Sequence, residues 1–367
     1  MQLVCPEFDE FEEALYGVQG RYVLRTRQQR DWQLSVVDLN GVALMSGREG
    51  AGTVYTGIGL PGYFNIFLPL TGHESTAVDG HAFNRRRIGW MVPNAMFHIN
   101  AKSPASWLTV AMSCEQVLRW AAVREDEFDF SVLHRNMVSH ARRNPGPLLW
   151  LARRLFHIDA HAPQGLHSEV GEEAARKEVM DLVFRMLLPI DPLHDAPRHH
   201  RDHKDILRRA LELLDTLDTR SVYIEDICQA TCASERTVRN VFNEYLGMSP
   251  HRYLMIRRLH GIRTAIRHAG PQETITSICA RFGVWDFGRF AGFYRRYFGE
   301  LPSHSLRSRR PASPASTRTA STASSSARRS RWASRLPSPR PPSCCRFRAR
   351  AHRSAGRPCR CCCSRIS

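Results

Sequence analysis

The sequence predicts an α+β fold, a β-rich N-terminal half joined to an all-α C-terminal half. Three features carry this expectation. Short runs of β-branched and aromatic residues, punctuated by Gly, Pro and Asn, fill residues 20–113. From residue 115 the apolar residues recur at helical spacing. Within residues 204–308 one pattern (apolar stripe, turn, cap, second stripe, closing glycine) occurs twice.

The β region is read from runs such as residues 32–39, 63–70 and 107–112. The pairs Asn40 and Gly41, Pro61 and Gly62, Asp79 and Gly80, and Pro93 and Asn94 separate them as turns. Closely spaced short strands of this kind close into a small barrel or stack as a sandwich. Residues 114–190 then read as helical, with Leu148, Leu151 and Leu155 on one face and Val179, Leu182, Val183 and Met186 on another. The Pro-, His- and charge-rich stretch 191–203 reads as a linker.

Composition narrows the function. The net charge of +17 points towards nucleic acid, but residues 309–367 hold fifteen Arg and no Lys, Asp or Glu. Removing those fifteen from +17 leaves +2 for residues 1–308, so a case for nucleic acid has to rest on local pattern. That Arg-, Ser-, Pro- and Cys-rich tail lacks the apolar surface to fold. It reads either as out-of-frame translation of a GC-rich gene or as a native basic arm that grips phosphates. Six of the 11 Cys lie in it; the others are scattered, and Cys228, Cys232 and Cys279 fall inside apolar helical patterns. No run of about 18 apolar residues suggests a membrane span. The acidic start lacks a secretory pattern, so the expected compartment is the cytoplasm, with association to the nucleoid.

The repeated pattern carries the function. In residues 224–246, Ile224, Ile227 and Cys228 form a first stripe and Ser234 is placed to cap a second helix. Val238, Val241, Phe242 and Tyr245 then share one face, while Arg236, Arg239, Asn240 and Asn243 occupy the other. Gly247 closes the helix. In residues 275–298 the stripe is Ile275, Ile278 and Cys279, with Thr274 and Asp286 as caps and Gly283 in the turn. Phe290, Phe293, Tyr294 and Tyr297 repeat the inward face, Arg289, Arg295 and Arg296 lie off it, and Gly299 closes the helix. Between the units, Tyr253, Ile256, Leu259, Ile262 and Ile266 mark the inward face of a single long helix. These are two helix-turn-helix units. Arginine matches guanine O6 and N7, and asparagine matches adenine N6 and N7. Two such units on a stiff connector can enter successive major grooves about 34 Å apart.

Residues 288–307, GRFAGFYRRYFGELPSHSLR, and residues 247–259, GMSPHRYLMIRRL, resemble the AraC/XylS transcription regulators, and the Phe-Gly-x-x-Pro-Ser ending is that of the XylS-like branch. The resemblance implies a DNA-binding domain over 204–308, with Arg236, Arg239 and Asn240 as base contacts of the first unit. It places Phe287, Gly288, Arg289 and Gly292 at the corresponding positions of the second. Because glycine has no side chain to donate, the second unit is expected to read little beyond Arg289 and to serve for docking. Four residues at three places depart from the family pattern: Cys232 in the first turn, Tyr223 at a cap position, and the pair His260 and Gly261 in the connector. The native chain is expected to end soon after Arg307.

More loosely, residues 63–93 resemble the cupin-like sensing barrel of the same family through the "Gly-Trp-x-x-Pro" rhythm. This implies a ligand-sensing domain over 1–113, a helical dimerisation segment over 114–190, and a small organic effector, aromatic compounds among the candidates. The other implied partners are double-stranded DNA, RNA polymerase and a second copy of the chain. Trp32, Tyr55, Phe64, Phe67, Trp90 and Phe97 read as core or as pocket lining, and no effector contact is assigned. A metal-dependent cupin enzyme needs a His-x-His pair. His73, Glu74, His81 and His98 do not supply one, and His73 and His98 read as turn or surface residues. Neither metal, cofactor nor catalytic residue is expected; the alternatives are an architectural DNA binder without a ligand, or an enzyme fused to a DNA-binding module.

Overall fold

The computed structural model describes residues 2–15, 19–25, 27, 31–123, 134–188, 199–216 and 222–307. The expected tail 309–367 and most of the expected linker therefore lie outside the described residues. In order, the N-terminal part comprises β1 (Gln2–Cys5), α1 (Phe8–Ala14), β2 (Gln19–Leu24), β3 (Trp32–Asp38), β4 (Val42–Arg48), β5 (Thr53–Ile58), β6 (Tyr63–Thr71), β7 (Thr76–Val78), β8 (His81–Ala82), β9 (Arg87–Met91), β10 (Met96–Ala101) and β11 (Ser106–Ser113). Then follow α2 (Cys114–Ala122), β12 (Met137–His140), α3 (Gly146–His161), α4 (Pro163–Leu166) and α5 (Glu169–Leu187).

The turn chemistry shapes these strands. Asn40 and Gly41, at φ of 51° and 101°, reverse the chain from β3 into β4, and Asp79 and Gly80, at 48° and 80°, do the same from β7 into β8. Both are positive-φ pairs of the kind that matches strand twist. The strands form a 7-stranded sheet in the order β1-β3-β4-β11-β6-β9-β12 and a 5-stranded sheet in the order β2-β5-β10-β7-β8. The β part is thus a pair of stacked sheets rather than one closed barrel.

Alternation sorts the side chains. Trp107, Phe67, Met45 and Leu34 from the larger sheet meet Tyr22, Val54, Tyr55 and Phe97 from the smaller one. On the opposite face of the larger sheet, Leu108, Val110, Met112, Phe64 and Ile66 pack under α2, α3 and α5 through Val117, Leu148, Leu151, Val179 and Val183. Phe64 and Trp90 stack on each other on that helix-covered face. They cannot share a pocket with Trp32, Tyr55, Phe67 and Phe97 between the sheets. Within that interior the buried carboxyl of Glu49 accepts from the Tyr22 hydroxyl at 2.9 Å, from Trp107 Nε1 at 2.7 Å and from Thr53. Burial pushes its pKa above the ordinary carboxylate value.

The C-terminal part comprises α6 (His199–Thr216), α7 (Ile224–Thr231), α8 (Glu235–Tyr245), α9 (Pro250–Arg267), α10 (Ile275–Arg281), α11 (Phe287–Phe298) and α12 (Pro302–Arg307). Helix α6 starts inside the segment 191–203 that reads as a linker. Tyr253, Ile256, Leu259, Ile262 and Ile266 of α9 are buried, as the periodicity requires. The departures in the connector have structural reasons. A Cβ on Gly261 would meet a ring carbon of Phe282 at 2.7 Å, so the helix needs glycine there. His260 accepts the Leu24 backbone N–H at 3.2 Å through Nε2 and lies edge-on to Phe8 and Phe298.

Sheet and helices share one continuous core, with α9 against β2 and α8 against β10. Helix α1 is the wedge between them. Phe8 and Phe11 pack on Trp32 and Tyr22. From the same segment, Glu7 and Asp9 reach the buried Arg263 at 2.9 and 2.7 Å, Glu300 accepts from it at 3.0 Å, and Arg267 joins the two acids. Replacing Arg263 with Met should cost about 3–5 kcal/mol, because three carboxylates lose a buried partner. The half-exposed pairs of Arg208 supply the control: Arg208→Met should change stability by less than about 1 kcal/mol in urea unfolding.

His98 is not a surface residue. It is buried and lies edge-on to Tyr245 of α8; its backbone N–H donates to the Asp79 carboxylate at 2.9 Å, its carbonyl accepts the Asp79 N–H at 2.8 Å, and Asp79 also takes Lys204 at 3.1 Å. Burial depresses both His98 and His260 from 6.5 to about 4, so these rings stay neutral in the folded chain. The unfolded chain binds the protons first. Their contribution to stability is complete above pH 6.5 and is lost as the pH falls towards 4, by up to about 3 kcal/mol per ring. Urea midpoints should therefore drop over that interval, and His260→Gln should flatten the acid limb.

Candidate nucleic-acid interface

Each second helix of the pair begins at a side-chain cap. Ser234 accepts the Thr237 N–H at 3.2 Å, and Asp286 accepts the Arg289 N–H at 3.0 Å. Thr274 caps α10 in the same way. Gly247, Gly283 and Gly299 take φ of 64°, 67° and 76°, the left-handed geometry that closes helices and turns. Cys232 takes φ of 52° in the first turn, where its Cβ is strained by about 1–2 kcal/mol. Unlike Cys279, which is buried, Cys232 is exposed and lies outside the helical stripe in which the sequence seemed to place it. Tyr223 makes no side-chain cap; Asp226 instead accepts its backbone N–H at 2.7 Å.

Caps set the register between the units. With Ser234 matched to Asp286, the buried Val238, Val241, Phe242 and Tyr245 fall on Phe290, Phe293, Tyr294 and Tyr297, and Gly247 falls on Gly299. The apolar side of each second helix faces the core. On the outer face of α8, Arg236, Arg239, Asn240 and Asn243 are all exposed. Arg239 is steadied by Glu235, one turn earlier, with Nε at 3.0 Å from the carboxylate. All four being exposed, α8 offers a row of hydrogen-bonding side chains to solvent.

By the same register, Arg236, Arg239, Asn240 and Asn243 correspond to Gly288, Ala291, Gly292 and Arg295. Arg289 is one position away from the matched face. Its guanidinium lies 5.7 Å from the centre of the Phe293 ring, which also faces Arg296 at 6.0 Å. Gly288, Arg289, Gly292, Arg295 and Arg296 are exposed, and Phe287 is 37% exposed. The sequence reading passed over Trp285. It precedes the cap of α11 and is 73% exposed. A large ring in the turn between the two apolar stripes, belonging to neither of them, was the available signal.

Among the described residues, no three His, Cys, Asp or Glu side chains gather as metal ligands. Among them, too, no helix is long and apolar enough to cross a membrane.

Residues 227–308 match the model of a helix-turn-helix domain. Over 100 residues the chain is 32% identical to the XylDLEGF operon transcriptional activator of Pseudomonas putida, covering 27% of this chain and 31% of that one. These helices form a helix-turn-helix domain. The same domain is 33% identical over 104 residues to the probable thc operon regulatory protein of Rhodococcus erythropolis, covering 28% of this chain and 31% of that protein. A probable AraC family transcriptional regulator from Rhodopseudomonas palustris is similar at 28% identity over 29% of this chain and 98% of that one, with a TM-score of 0.27. A match that loose bears on nothing beyond the sequence likeness. The chain spans about 31% of the length of the two curated relatives, so the likeness concerns the helix-turn-helix domain and not the sheets before it.

Proposed function

We propose that this protein is a sequence-specific DNA-binding transcription regulator that activates its promoter in response to a small organic effector. The observation that carries this reading is the outer face of α8. Two arginines and two asparagines stand on a helix whose opposite face is locked into the core, in a domain of the AraC type. Such a face docks in a major groove, where base edges specify and phosphates position. Asn240 and Arg236 or Arg239 read bases, Asn243 borders them, and Arg289, Arg295 and Arg296 of the second unit hold the backbone. The two units enter successive grooves, with α9 as the connector.

The stacked sheets over residues 1–113 act as the sensor, and residues 114–190 supply a surface for a second copy of the chain. The coupling runs through α1. Its Phe8 and Phe11 lie against the sandwich interior, while Glu7 and Asp9, at its N-terminal end, hold Arg263 on the connector. An effector that repacks Trp32 or Tyr22 changes the seat of α1, and with it the population of DNA-competent arrangements. RNA polymerase is the downstream partner, in the cytoplasm at the nucleoid. The protein is not an enzyme on this reading.

Arg239→Ala should weaken binding to a selected operator by about 1–3 kcal/mol and relax preference at one base pair. Competition binding against random DNA measures it. An equal loss on cognate and random duplexes would assign Arg239 to phosphates and remove the base-reading role.

A further inference from the structure

The cap register leaves the second unit with Gly288, Ala291 and Gly292 where the first unit carries Arg236, Arg239 and Asn240. Packing within the protein does not demand those glycines. A Cβ on Gly288 would meet only Asp286 Oδ1, at an ordinary 3.8 Å, and one on Gly292 would meet nothing within 4 Å. Mid-helix glycine is otherwise unfavourable. Directly before this bare face stand two aromatic rings turned to solvent, Trp285 at 73% and Phe287 at 37% exposure. The first unit has the part-buried Ala233 at the position of Trp285. Exposed Arg289, Arg295 and Arg296 lie on the same helix as the open face, Arg289 and Arg296 beside the Phe293 ring. An apolar shelf with a cationic rim suits a polyanion that carries apolar groups in a recess. The major groove of DNA is such a surface, its one apolar group being the thymine C5-methyl.

We propose that Trp285, assisted by Phe287, is the sequence-reading element of the second unit, and that it reads thymine methyl groups by apolar contact while Gly288 and Gly292 let α11 sit close to the base edges. This rests on the reading of the domain as a DNA binder. It replaces a docking-only role for the second unit with a recognition mode different from that of the first.

The test uses the full chain and duplexes selected from a random pool by the wild-type protein. Each thymine of the bound site is replaced in turn by deoxyuridine, which removes only the methyl. Wild-type protein should lose about fourfold in affinity at one or two positions, the effect of one buried methyl. Trp285→Ala should bind several-fold more weakly and show no further loss at those positions. Arg239→Ala, weakened elsewhere, should keep the uracil effect. Gly292→Leu should raise the melting temperature yet weaken binding several-fold. Wild-type binding without any uracil effect, or an undiminished effect in Trp285→Ala, overturns the proposal. So does a Trp285→Ala protein that binds DNA normally but fails to activate transcription, which would assign the ring to polymerase. If the wild-type chain selects no sequence at all, the DNA-binding reading fails with it, a result separate from the others.

Discussion

The structure turns on one buried cation. Arg263 sits on the inner side of the connector α9, almost without solvent contact, and its three guanidinium nitrogens each meet a different carboxylate. A guanidinium moved out of water loses several kcal/mol of hydration, which one partner would not offset. Three carboxylates arranged around the planar fork do, and they keep Arg263 firmly charged. The identity of the partners matters more than their number. Glu7 and Asp9 come from the first residues of the chain, and Glu300 lies just beyond α11. One side chain therefore ties the N-terminal segment, the connector and the end of the second unit together. Lysine at this position would offer a point charge, without the fork that separates the three acids.

Around that anchor the junction is assembled from groups that tolerate only one protonation state. His260 must be neutral to accept the Leu24 N–H, and the aromatic rings that enclose it keep it so. Arg25 spans the same seam, donating to Asn100 of β10 and to the Gly247 carbonyl at the end of α8. The left-handed turn that closes α8 is thus also a contact with the sheets. The sheets and the helical domain meet through backbone positions and buried rings, a close-packed seam that cannot deform smoothly.

Much of the helical half was legible in the sequence because its determinants are local. Caps at Ser234, Thr274 and Asp286, glycines at 247, 283 and 299, and stripes at i, i+3, i+4 and i+7 all act within one or two turns. The strands were legible for the same reason, through period-two alternation and positive-φ turns. Long-range pairing was not. Arg263 meets Asp9 across 254 residues, and nothing near either one marks the other as its partner. Helix α1 is only seven residues long and went unread. Gly261 looked like a weak point in the connector until Phe282 filled the space beside it. His98 looked like a loop residue because its burial depends on Tyr245, far along the chain. The two-sheet arrangement was likewise undecided, since alternation alone does not distinguish a sandwich from a barrel.

The comparison of the two units shows how a duplicated frame can diverge in what it presents. Buried positions are matched by residues of similar character: Val238 with Phe290, Phe242 with Tyr294, Tyr245 with Tyr297. Their job is to seat a helix on the core, and any well-filling apolar side chain does it. Exposed positions answer to whatever approaches from outside. At the matched positions the first helix carries Arg236, Arg239 and Asn240, where the second carries Gly288, Ala291 and Gly292 behind two exposed rings. A helix without side chains lets its own backbone come nearer to a surface by the length of those chains. It also surrenders the hydrogen-bonding groups that those side chains would offer. Two equal frames held by one connector therefore present two unequal surfaces, one of donors and acceptors and one of glycine, alanine and exposed rings.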